Sequence, residues 1–186
     1  STLSDLDGQP NSGFYDAYIS KYNPNGNKSW TRLLGTSSSE NAYALTPGSD
    51  GSIYIAGYTG GDLDGQKNNG GGDAFLSKFN RDGDKLWTKL LGHYKSDLAN
   101  ALTTGSDGAI YIAGSTLSDL DGQSNSGKYD AFISKYNPNP TDISLTSTSF
   151  NENINAGSVL ATLSTTQTDA SGSYTYTLVS GTGDTD

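Results

Sequence analysis

The 186-residue chain contains no cysteine, no methionine, a single histidine and only five prolines. Without cysteine there is no disulfide framework and no thiolate-ligated zinc. Without methionine, Ser1 is not an initiator, so the chain is expected to be processed, excised or a fragment. Lys and Arg number 11 against 20 acidic residues, and the net charge is -9. A nucleic-acid backbone needs clustered basic residues, and this balance argues against such a partner. No run approaches the roughly 18 apolar residues of a membrane span, and no basic start followed by an apolar run marks a signal peptide.

What is present is acid, glycine and tyrosine. Eighteen of the 20 acidic residues are Asp, and there are 24 Gly and 12 Tyr within a hydrophobic fraction of 32%. This composition predicts compact β-structure rich in turns. It also suits a soluble exterior or a set of hard-cation sites. Cysteine-free chains rich in Asp, Gly, Asn and Ser are common among bacterial secreted and surface proteins, so a secreted or cell-surface location is expected.

The organisation is an internal repeat. The run "DLDGQPNSGFYDA" at residue 5 returns as "DLDGQKNNGGGDA" at 62 and "DLDGQSNSGKYDA" at 119. Residues 5–61 laid over 62–118 agree at 34 of 57 positions without a gap. Each period holds four short stretches rich in β-formers. They are 16–23, 28–34, 41–46 and 52–59 in the first copy, then 73–80, 85–91, 98–103 and 109–116. A further first stretch lies at 130–137. The linkers "NPNGNK", "NRDGDK", "GSDGS" and "GSDGA" carry Asn-Gly or Asp-Gly, dipeptides that accept the positive φ of tight hairpins. Each period therefore predicts a four-stranded antiparallel meander, with the acidic run as the connector between meanders.

Four strands per tandem unit is the plan of a β-propeller blade. The segments "DLDGQ", "GGGDAFLSKFNRDGDKLWTKLLG" and "GSDGAIYIAGST" resemble the bacterial SBBP-type β-propeller repeat family over about residues 1–138. The resemblance implies a propeller and says little about activity. Blades are expected at 16–59 and 73–116, with a lone first strand at 130–137. Two and a fraction blades do not encircle an axis, so the parent protein is expected to extend at its N-terminus. Open blade edges also invite self-association or further blades of the parent chain.

Residues 139–186 change character, with no Trp, Lys or Arg and many Thr and Ser. "DISLTSTSF", "SVLATLST" and "YTYTLVS" read as strands of a partial β-sandwich. This region resembles the first half of a bacterial cadherin-like domain. That family's Asn-Glu-Asn run implies Glu152 as a calcium ligand, and its Asp-x-Asp turn is matched only by Asp169.

The acidic loops carry the candidate chemistry. Asp5, Asp7, Asn11 and Asp16 form one set. Asp62, Asp64, Asn68 and Asp73 form the second, and Asp119, Asp121, Asn125 and Asp130 the third. Calcium takes six to eight oxygens of these kinds, and three carboxylates in a short loop repel one another unless a cation or a donor array offsets the charge. The alternative is turn chemistry, because Asp and Asn beside Gly bond backbone N–H groups. The loop also departs from an EF-hand: its sixth position is not Gly, and its last is Asp instead of Glu. Both readings stand at this point.

Trp30 and Trp87 recur in the second strands and are expected to be packing anchors rather than sugar platforms. His93 has Thr36 as its counterpart and is expected to be an exposed loop residue. Polar groups that recur two or three times suit scaffolding or binding better than turnover. The chain is thus expected to be a non-enzymatic extracellular structural or adhesion module, stiffened by calcium, with a protein or glycan partner at a cell surface. The alternative is a lectin-like carbohydrate-binding propeller with sites at its blade junctions.

Overall fold

The computed structural model describes residues 1–138, 143–145 and 163–165. The chain divides into two compact units, Ser1–Asn139 and Pro140–Asp186. Among the described residues there is no helix, and the first unit is built of antiparallel strands only.

Nine strands of the first unit fall where the repeat places them. These are β1 (Ala17–Tyr22), β2 (Lys28–Leu34), β3 (Glu40–Pro47), β4 (Ile53–Thr59), β5 (Asp73–Phe79), β6 (Lys85–Leu91), β7 (Asp97–Thr104), β8 (Ile110–Thr116) and β9 (Asp130–Tyr136). The β1–β2, β5–β6, β3–β4 and β7–β8 hairpins turn through Gly26, Gly83, Gly51 and Gly108, all at positive φ. Only the glycine of each Asn-Gly or Asp-Gly dipeptide takes the left-handed conformation there. The bond from Gly26 N–H to the Asn23 carbonyl fits a type I turn followed by that glycine.

The grouping of strands differs from the meander expected from the repeat. The sheets are β1-β2, β3-β4-β5-β6 and β7-β8-β9. The four-stranded sheet therefore joins the last two strands of one period to the first two of the next, and β7-β8-β9 joins the last two of the second period to the first strand of the third. The expected blades at 16–59 and 73–116 are not single sheets, and the stretch at 130–137 is no lone strand, because β9 pairs with β8 in full register. The acidic run is accordingly not a connector between sheets. It links β4 to β5 inside one sheet, with Thr59 opposite Asp73. The short segments 35–39 and 92–96 make the passage from sheet to sheet.

Two apolar clusters join the sheets face to face. The first packs Ala17, Ile19 and Leu34 against Ile55, Phe75 and Phe79, and the second packs Ala56, Ala74 and Leu76 against Ala99, Ile110 and Ile112. On β5 the alternation of a strand sends Phe75 and Phe79 to one cluster and Ala74 and Leu76 to the other. Trp30 packs on the first cluster and Trp87 on the second, the equivalent place one period later. Trp87 also meets the rings of Tyr54 and Tyr136 at 5.8 and 5.0 Å. Both tryptophans are packing anchors.

In the second unit, β10 (Ile143–Leu145) pairs antiparallel with β11 (Leu163–Thr165). Glu152, Asp169 and the rest of the expected partial sandwich lie outside the described residues.

Candidate functional site

Each acidic loop folds around its own small hairpin. Leu6 and Gln9 exchange both backbone hydrogen bonds, at 3.0 and 2.9 Å, and Leu120 and Gln123 do the same. Leu63 and Gln66 bridge at the matching place. Between them Asp7, Asp64 and Asp121 stand at φ 54, 53 and 48°, followed by Gly8, Gly65 and Gly122 at 73, 73 and 76°. Two successive left-handed residues make a type I′ turn, for which Asp-Gly is a preferred sequence. Leu63 and Leu120 are buried beside this turn, so the tips of the second and third loops are also anchored by apolar contact.

In the first two loops the three carboxylates serve three separate sets of partners. Asp5, Asp62 and Asp119 each accept the N–H of the Asn six residues on, at 2.9, 2.9 and 2.8 Å. That Asn holds the loop to the preceding strand. The Asn68 amide donates to the Thr59 carbonyl at 3.0 Å while its oxygen accepts the Gly70 N–H at 2.9 Å, and Asn11 and Asn125 repeat the pattern. The middle acid turns outward. Asp7 pairs with the Lys28 ammonium and accepts the Thr31 hydroxyl, and Asp64 does likewise with Lys85 and Thr88. The Lys28 bond, followed by that of Thr31, holds the Asp7 carboxyl below its ordinary pKa. The last acid looks inward: Asp16, Asp73 and Asp130 accept the N–H of Ser12, Asn69 and Ser126 at 2.9, 3.1 and 2.8 Å.

In this structure the three carboxylates of a loop do not gather around one point. The carboxylates diverge toward a backbone amide, a neighbouring strand and the sheet junction, and each of the first two sets already has donors to offset its charge. Among the described residues no group of three acidic or histidine side chains converges on a common point. The hydrogen bonds the loop makes are those expected of turn chemistry.

Sequence reasoning missed a second set of acids, at the junctions between sheets. Glu40 and Asp97 are fully buried, as are Asp16 and Asp73. The backbone ties each pair of strand starts together: Glu40 N–H donates to the Tyr15 carbonyl, and Asp97 N–H to the Gly72 carbonyl at 2.9 Å. Each junction thus places two acids where one sheet meets the next. The available signal was that positions 40 and 97 lie one 57-residue period apart and both carry an acid.

The two junctions are satisfied unequally. Glu40 accepts the Thr36 N–H at 2.7 Å, the Thr36 hydroxyl at 2.9 Å and the Thr59 hydroxyl at 2.8 Å. Asp97 accepts the His93 N–H at 3.0 Å through one oxygen, and its Oδ1 is buried without a hydrogen-bond partner. Asp16 and Asp73 likewise each keep one partnerless buried oxygen. Burial, with the Asp97 charge adding to it, pushes the Asp73 carboxyl up from its ordinary pKa against the opposing Asn69 N–H and His93.

Glycine makes room for these acids. A methyl group on Gly35 would stand 2.2 Å from the Asp16 carboxyl carbon, and one on Gly92 would stand 2.3 Å from Asp73 Oδ1. His93 itself is exposed and rests its ring on Tyr94, with 5.0 Å between ring centroids.

No protein-family model matches the chain. The chain is similar to the Regulatory protein FlaEY of Caulobacter vibrioides, with 33% identity over 144 residues, covering 72% of this chain and 15% of that protein. The chain therefore spans only a small fraction of that relative's length.

Proposed function

We propose that this chain is a non-enzymatic structural and adhesion module of a secreted or cell-surface bacterial protein, built from SBBP-like propeller repeats. One observation carries the reading. The elaborate polar chemistry of the first unit recurs at 57-residue intervals, and it is spent on holding loops and sheets together. A reaction centre needs one set of groups aimed at one substrate. Here the acids instead fix the turn, the neighbouring strand and the junction.

In this reading stiffness comes from hydrogen bonds and ion pairs, and no calcium step is invoked. The melting temperature of the full chain is then unchanged by EDTA or by millimolar calcium. A rise with calcium, reversed by the chelator, would return a metal to the account through mass action.

A second reading, carbohydrate binding, is favoured by one surface. Tyr18 and Tyr43, both substantially exposed, line a 270 Å³ groove with Leu45 and Ile55 between β1 and β3. Adjacent exposed tyrosines offer faces on which a sugar ring stacks. Their counterparts one period later are buried Phe75 and Asn100, so this surface is single and not one site per junction. A glycan array with wild type and Tyr43→Ala separates the readings. Tyr43-dependent binding supports the lectin-like one, and its absence leaves the scaffold.

The name of the Caulobacter relative suggests no mechanism for this chain. The shared segment is proposed to supply architecture to a longer protein.

A further inference from the structure

We propose that the passage between the second and third sheets carries a binding site for an acidic saccharide, with the Tyr94 ring as platform and Lys95 as the cation that meets a uronate carboxylate. The first copy of the repeat shows which residues the fold needs at this place, and the second copy departs from them.

The two passages make the same crossing with different side chains. The first reads "GTSSSE" at 35–40 and the second "GHYKSD" at 92–97. Small polar residues suffice to cross, so the His-Tyr-Lys of the second passage is not a requirement of the fold. A swap beneath His93 turns it outward. In the first copy the Thr36 hydroxyl reaches inward to Glu40, and Gly61 leaves it room, since a methyl on Gly61 would stand 2.3 Å from Thr36 Oγ1. The second copy has buried Ser118 at the position of Gly61. The inward place is thereby taken, and the His93 side chain lies on the surface, its ring edge-on to Tyr94. The Lys95 ammonium stands 5.4 Å from the centre of the same Tyr94 ring.

The facing loop is cut back around this group. Where the first and third loops carry Phe14-Tyr15 and Lys128-Tyr129, the second carries Gly71-Gly72. Gly72, at φ 125°, has the Tyr58 ring 2.3 Å from where a Cβ would be, so that ring takes the space of a side chain. The Tyr58 and Ser96 hydroxyls both donate to the Gly71 carbonyl, at 3.1 and 3.2 Å. Each keeps lone pairs with which to accept a bond from a sugar hydroxyl. Tyr94 itself is 55% exposed.

These groups define the ligand. An exposed aromatic face beside convergent hydroxyls suits a sugar ring, and Lys95 sets the charge. Lys28, Lys78, Lys85 and Lys135 each pair with an Asp, whereas among the described residues Lys95 pairs with no acid. On a chain of net charge -9, that ammonium beside an exposed ring favours a sugar bearing a carboxylate over a neutral one. The inference deepens the carbohydrate reading by naming a sugar class, and it stands without the groove between β1 and β3.

Isothermal titration of the full chain with an oligogalacturonate tests it. The expected result is saturable binding that weakens with added salt, while a neutral galactose oligomer binds more weakly. Tyr94→Ser combined with Lys95→Ser should abolish binding. Both positions are Ser in the first passage, so folding is retained, and an unchanged circular dichroism melt checks it. Tyr94→Ala alone should weaken binding about tenfold, the scale of one aromatic contact. Tyr43→Ala should bind as wild type does. Absence of saturable binding, equal binding of the neutral oligomer, or binding that survives the paired Ser substitutions would overturn the proposal. Loss of binding with Tyr43→Ala alone would place the sugar in the groove between β1 and β3 and overturn it equally.

Discussion

The junction between the first and second sheets and the junction between the second and third are built on the same plan from slightly different residues. At the first, Glu40 is long enough to take three donors, two from Thr36 and one from Thr59. At the second, Asp97 is one methylene shorter and faces His93 in place of Thr36, which supplies only a backbone N–H. The result is that Asp97 keeps a partnerless buried oxygen where Glu40 has none, in addition to the one that Asp16 and Asp73 each keep at their own junction. A buried polar group without a partner costs about 1–3 kcal/mol, so a repeat whose backbone is nearly invariant holds junctions of unequal strength. Fold and local stability are set by different residues here.

The largest effect expected tests what the junctions share. Gly35→Ala and Gly92→Ala force a methyl into the space of Asp16 or Asp73. Each should destabilise by about 3 kcal/mol in urea titration, the cost of overpacking a site that cannot relax. Near-neutral values would mean that the acids do not sit against these glycines.

Next in size is the contrast itself. Glu40→Ala strands three donors and should cost about 2–3 kcal/mol, whereas Asp97→Ala removes one bond along with an unfavourable buried charge and should cost about 1 kcal/mol or less. Equal costs would erase the distinction between the junctions.

A third prediction concerns pH. The folded-state pKa of Asp73 is raised, so its protonated form favours folding, and that contribution is lost as pH rises through the folded value. Asp73→Asn keeps an acceptor for the Asn69 N–H and removes the charge. It should be more stable than wild type by about 1 kcal/mol at neutral pH, with the advantage vanishing in acid. Asp50 has the opposite sign. Although burial opposes it, bonds from Ser52 and Lys78 hold its folded value at about 2. The stability it contributes is present above its unfolded value and is lost as pH falls toward 2. Chemical denaturation of both proteins between pH 2 and 8 measures the two trends.

The smallest effect belongs to the exposed loop pair. Lys85→Met should change stability by no more than about 0.5 kcal/mol and lose salt dependence, as exposed ion pairs do.

Strand positions were legible because alternation and Gly-containing turns mark them locally. Stretches such as 28–34 and 85–91 coincide with β2 and β6. The assignment of strands to sheets was not, because a repeat has a period but no marked starting phase. Loop length suggested the wrong phase. The 13-residue run between β4 and β5 looks like a passage between units, yet the Leu63–Gln66 bridge folds it back so that Thr59 and Asp73 meet. The five residues after β2 look like a hairpin and instead cross between sheets.

The loop acids were legible as a group, since they recur with their glycines. Their division of labour was not, because spacing along the chain does not reveal that Asp7 turns toward β2 while Asp16 turns inward. Glu40 and Asp97 escaped notice for another reason. They sit in strands of mixed composition, and only their burial sets them apart.

The central claim is that the four-stranded sheet is assembled across the repeat boundary, with the acidic loop folded inside it. Cross-strand nuclear Overhauser contacts on uniformly labelled full-length chain test it most directly. The account predicts backbone contacts joining Ile55 to Ser77 and Gly57 to Phe75, with none between β2 and β3. A ladder of contacts pairing 28–34 with 40–47, and none across the acidic loop, would contradict it.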